Sequence, residues 1–88
     1  MTLDDADRLA VALQVLRKSV SVDAEAMASV LLKQFAPDVV ARGLSHGLGF
    51  ACDGDAACAL AAQVPSAREE AARAVLCAAG MGDLVGEA

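Results

Sequence analysis

Residues 3–19, LDDADRLAVALQVLRKS, decide the fold class. Leu9, Leu13 and Leu16, with Val20 just beyond, recur at the spacing of one helical face. Asp4, Asp5 and Asp7 stand at the start and Arg17 and Lys18 at the end, the order that the helix dipole favours. The pattern predicts a first helix over 3–19, opened by Thr2 and the acidic turn.

Outward from it, the same logic gives four more segments. Ser21 or Asp23 can cap a second helix through about Gln34, with Met27, Val30, Leu31 and Phe35 on one face and Glu25 and Lys33 off it. Pro37 suits a first helical turn, where its missing N–H leaves nothing unpaired, so a third helix is expected over 37–48, carrying Val39, Val40, Leu44 and Leu48. Asp53-Gly54-Asp55 reads as a connector, and the small apolar run Ala56 to Gln63 as a short fourth helix buried on most sides. Val64-Pro65 ends it. Ser66 and Glu69 have capping-box spacing for a fifth helix that Gly80 stops, with Glu69 and Arg73 placed for an (i, i+4) ion pair. No segment alternates as a strand does. The expectation is all-α, a compact bundle of four to five short helices forming a single domain over 1–88, with 82–88 adding a turn or a frayed tail.

Composition sharpens this. The chain is 57% apolar, yet Phe35 and Phe50 are its only aromatic residues and 21 positions are Ala, which bury little each. Fully burying a Leu or Val stabilises by about 1.5–3 kcal/mol, so the remaining Leu, Val, Met, Cys and Phe make a modest core. Covering surplus Leu and Val by self-association or by a partner would therefore matter. Gly43 and Gly47 lie four apart on the third helix and form a strip without side chains, suited to close approach of a backbone from within the chain or from a partner helix.

Twelve acids against seven scattered Lys and Arg give a net charge of −5, which disfavours nucleic acid and anionic membrane surfaces as default partners. The first ten residues lack a basic and apolar leader pattern, and Cys52, Cys58 and Cys77 are odd in number, so reduced thiols in the cytoplasm are expected. The longest uncharged stretch, Ala56 to Ala67, contains Pro65 and falls short of the ~20 residues that span a bilayer.

Candidate chemistry is sparse. His46 is the only histidine and could pair with a cysteine nucleophile; Cys58 and Cys77 read as small hydrophobes within helices, while Cys52, beside the connector, is the thiol that could be exposed. His46, Cys52 and Cys58 are spaced six apart, unlike structural zinc ligands, and Asp53-Gly54-Asp55 lacks the further oxygen ligands of a calcium loop. No glycine run has the form that cradles a phosphate. No cofactor or metal is expected.

These observations predict a small non-enzymatic protein that binds a protein partner, as an adaptor, inhibitor or regulatory subunit, or that forms a homodimer. The candidate contact residues are Phe35, Gly43, Gly47, Leu48 and Phe50; of these, the two Phe residues suit the core better than a contact surface. In a variant of this reading, Asp4, Asp5, Asp7, Glu69 and Glu70 form an acidic face toward a basic partner. The alternative is a helix-turn-helix DNA-binding regulator whose third helix presents Arg42, Ser45 and His46, beside Asp38, to a major groove.

Overall fold

The computed structural model describes residues 3–86 and contains, among them, five helices, one 3₁₀ turn and no strand. The helices are α1 (Asp5–Arg17), α2 (Ala24–Leu31), α3 (Pro37–Leu48), α4 (Gly54–Ala62) and α5 (Ser66–Ala78), followed by the turn Gly82–Val85. The expected all-α bundle is what forms.

Three of the five helices start on an aspartate. The carboxylates of Asp4, Asp23 and Asp53 accept the backbone N–H of Asp7, Ala26 and Ala56 at 2.8, 3.2 and 2.7 Å, each satisfying a first-turn donor that the helix cannot. Thus α1 begins after Asp4, with Thr2 outside the described residues, and ends at Arg17, two residues short of expectation. Pro37 occupies the first position of α3 as expected. The same proline holds Ala36 extended (φ −65°, ψ 151°), which separates α2 from α3; α2 stops at Leu31 rather than Gln34. Gln34 and Phe35 fold into a turn on the Leu31 carbonyl, at 3.0 and 2.9 Å.

The end of α5 follows the reading of Gly80. At φ 78° this glycine reverses the chain, and the N–H groups of Met81 and Gly80 close on the carbonyls of Leu76 and Cys77 at 2.8 and 3.1 Å. The tail then adds a turn that buries Leu84 and Val85; residues 87–88 lie outside the described residues. The capping box does not form. Pro65 takes the cap position, Ser66 is already helical, and the Glu69 carboxylate turns away to α2. Nor is α4 buried on most sides: it packs on α2 and α3 along one edge, and of its residues only Ala57 is buried.

The core holds Leu9, Leu13 and Leu16 from α1, Met27, Val30 and Leu31 from α2, Val40 and Leu44 from α3, Leu76 from α5, and Leu84 and Val85. Its tightest contact is between α1 and α3, the most extensive helix pair in the molecule. A Cβ built on Gly43 would lie 2.7 Å from the Leu9 Cβ; one on Gly47 would lie 2.9 Å from both the Ala10 carbonyl oxygen and the Leu13 Cβ. Gln14 Nε2 also donates to the His46 carbonyl at 2.9 Å. The glycine strip therefore serves packing within the chain, and as partner-contact residues Gly43 and Gly47 are excluded by α1, which covers them.

The second tie joins α2 to α5 by polar contacts. Ser29 Oγ, in a buried residue, donates to Glu69 Oε2 at 2.7 Å, Lys33 Nζ donates to Glu69 Oε1, and Arg73 completes the expected (i, i+4) pair at 3.6 Å. Arg68 grips Asp23 with two hydrogen bonds, at 2.8 and 2.9 Å, and reaches Glu25 at 3.2 Å. The Lys33 and then the Ser29 hydrogen bonds hold the Glu69 carboxyl below its ordinary value; the Arg68 hydrogen bond does the same for Asp23.

Replacing Gly47 by Ala stabilises an open helix by about 0.5–1 kcal/mol; here it is expected to destabilise by about 1–3 kcal/mol, because the Ala10 backbone has nowhere to move, as read by urea unfolding. Because both carboxyls are depressed in the folded state, their contribution is complete above their ordinary values, about 4.5 for Glu69, and is lost as pH falls through the folded values. Glu69→Gln should therefore flatten the acid limb of a stability–pH curve, and an unchanged limb would contradict the Ser29–Glu69–Lys33 tie.

Candidate functional site

The contact with α3 fixes which side of α1 faces inward. Ala6, Leu9, Ala10, Leu13 and Leu16 are buried, and the helical period then leaves Val11 and Val15 pointing away from the core, half exposed at 50% and 52%. With Leu3 (51%) and Val20 (41%) at either end of the helix, these are the exposed large hydrophobic residues of the described chain. All four lie on α1 or its immediate flanks. Isolated exposed apolar residues need no explanation, whereas a contiguous set does.

The set is contiguous because α5 and the C-terminal turn stand beside α1 without closing on it. One cleft of about 330 Å³ is lined by Leu3, Val11, Ala12, Val15, Met81 and Leu84, with Arg8 and Asp83 at its rim. A second of about 390 Å³ runs on between Val15, Leu16 and Val20 on one wall and Val75, Ala78, Ala79 and Met81 on the other, with Ser19 at its edge. Val15 and Met81 belong to both, so they form one apolar groove along the outer side of α1.

The two ends of α1 carry opposite charge. At the start of α1 stand Asp4, Asp5 and Asp7, joined by Asp83: Arg8 reaches Asp5 at 3.3 Å and Asp83 at 3.4 Å, while Arg42 lies 4.0 Å from Asp4. At its finish stand Arg17 and Lys18. Arg8, Lys33, Arg42, Arg68 and Arg73 each have a carboxylate within 4.0 Å; among the described residues Arg17 and Lys18 are the two Lys and Arg that form no such pair.

The residues expected to make contacts are dispersed. Leu48 and Phe50, half buried, share a wide cleft of about 570 Å³ with Arg17, Lys18, Val20 and Val22, beyond the ends of α1 and α3. Phe35 is half buried in the turn after α2 and, like Leu48 and Phe50, packs against the core. For the DNA reading, Arg42 is exposed but stands beside the Asp4 carboxylate, Ser45 is half buried, and the exposed His46 gives its carbonyl to Gln14. In the acidic-face reading, Glu69 is engaged by Lys33 and Arg73 and does not join Asp4, Asp5 and Asp7 on α1.

The cysteines differ from their sequence reading. Cys58 and Cys77 are exposed and Cys52 is half buried against the core, where burial, and then the Asp53 carboxylate, push its thiol up from the ordinary value and oppose thiolate formation. Among the described residues no three His, Cys, Asp or Glu side chains are placed to hold a metal ion, and no helix is long and apolar enough to cross a membrane.

Val11 and Val15 escape a reading led by the leucine stripe. The available signal was their (i, i+4) spacing on a helix whose inward face the leucines already fill. If they are external as described, Val15→Glu should change the folding stability of the monomer by no more than ~0.5 kcal/mol, while Leu13→Ala, two residues away, should lose about 2–5 kcal/mol, both by urea unfolding at concentrations low enough that the chain is monomeric. No protein-family model, curated protein or solved structure matches the chain.

Proposed function

We propose that the protein works without catalysis, by binding protein through the outer face of α1. The observation that carries this reading is the confinement of Leu3, Val11, Val15 and Val20, the exposed large hydrophobics of the described chain, to a single groove. Its walls of Val, Ala, Leu and Met supply apolar area with few directional polar groups, the chemistry of helix docking more than of small-molecule recognition. Met81, at the centre of the groove, is a side chain that adapts its shape to what it meets. The modest core adds a thermodynamic motive, since covering two half-exposed valines recovers burial that the chain cannot provide alone.

The test is affinity capture by the immobilised full chain from a lysate of its source cells, with bound chains, its own copies included, identified by mass spectrometry. Proteins retained by the wild type and by Ala59→Asp, on exposed α4 surface, should be lost from the Val11→Glu/Val15→Glu variant. An identical set on all three would overturn the assignment of the face.

A further inference from the structure

We propose that the occupant of the α1 face is a second copy of this chain, docked with the two α1 helices antiparallel about a two-fold axis near Val11 and Val15. The inference rests on the reading of that face as a protein-contact surface and names what covers it. Its first support is shape. Val11 and Val15 form a ridge, and the groove toward Val75, Ala78 and Met81 runs directly beside it. A two-fold axis sets each ridge in the other copy's groove, the self-complementary arrangement that an isologous interface requires.

The second support is charge. The leading end of α1 holds four carboxylates, Asp4, Asp5, Asp7 and Asp83, against two guanidinium groups, Arg8 and Arg42, for a net −2 (−4 + 2). The trailing end holds Arg17 and Lys18, a net +2, neither paired to a carboxylate among the described residues. Antiparallel docking lays each end on its opposite, twice over, and also opposes the two helix dipoles. Parallel docking would lay like on like. The sequence spacing supplies the seam: Asp4, Arg8, Val11, Val15 and Lys18 recur at intervals of four, three, four and three, with the valines at the centre, and the two-fold brings Lys18 of one copy to Arg8 of the other, which Asp5 and Asp83 already neutralise. At 1.5 Å per residue the seam is about 20 Å long.

The mass of the purified full chain, with thiols kept reduced, tests this by light scattering and sedimentation over a wide range of concentration and salt. The expected species is twice 8.9 kDa. Val15→Glu, and independently Val11→Glu, should raise the dissociation constant by roughly a hundredfold, since the two-fold counts each substitution twice, with helical circular dichroism unchanged. Arg17→Glu/Lys18→Glu should weaken the dimer by about tenfold, and added salt should weaken the wild type. A monomeric wild type would overturn the proposal. So would a dimer indifferent to Val15→Glu, or one that the charge reversal leaves intact or tightens. A monomer whose capture of another protein still depends on Val11 and Val15 would remove the self-pairing while retaining the face; capture indifferent to them would remove the face itself.

Discussion

The approach of α1 to α3 over Gly43 and Gly47 is the contact on which the rest depends. Each glycine weakens its helix by roughly 0.5–1 kcal/mol relative to Ala. In return, Leu9 and Leu13 sit fully buried against a backbone with no side chain in the way, at about 1.5–3 kcal/mol apiece. The balance favours the close seam. It also sets the rotation of α1, and with it the outward direction of Val11 and Val15. The surface proposed to bind is thus a geometric consequence of the packing beneath it.

The remainder of the bundle is held by modest means. Alanine contributes much of the apolar content and little of the burial, and α4 buries one residue. Between α2 and α5 the adhesion is partly polar, through Ser29, Lys33 and Arg73 on Glu69 and through Arg68 on Asp23 and Glu25. Five cations are drawn into such pairs, and among the described residues this leaves Arg17 and Lys18 as the Lys and Arg with no carboxylate within 4.0 Å. The polarity of α1 is written in the sequence, whereas the pairing of Lys33, Arg42 and Arg68 with distant carboxylates arises only from the fold.

What was legible in the sequence were features governed by neighbours along the chain. The leucine spacing gave α1, Pro37 gave the start of α3, Gly80 gave the stop of α5, and Asp23 and Glu69–Arg73 behaved as their spacing implied. Features set by distant partners were not legible. Ser66 and Glu69 have capping-box spacing, but Ser29 and Lys33 lie across the bundle and take the carboxylate. The Ala56–Gln63 run looks buried by composition, yet only one edge of α4 meets other helices. Cys58 and Cys77 look internal by their neighbours and are exposed. At the site, the spacing of Gly43 and Gly47 marks a close-approach surface in the sequence itself, while Val11 and Val15 are masked by the stronger leucine stripe beside them.

The central claim is that one side of α1 lies on the glycines of α3 and the other faces outward. A nuclear Overhauser spectrum of isotope-labelled protein tests it directly. The account predicts contacts from the Gly43 and Gly47 α-protons to Leu9 and Leu13, and none from those glycines to Val11 or Val15. Contacts from the valines to the glycines would show α1 rotated about its axis, and would contradict both the seam and the surface derived from it.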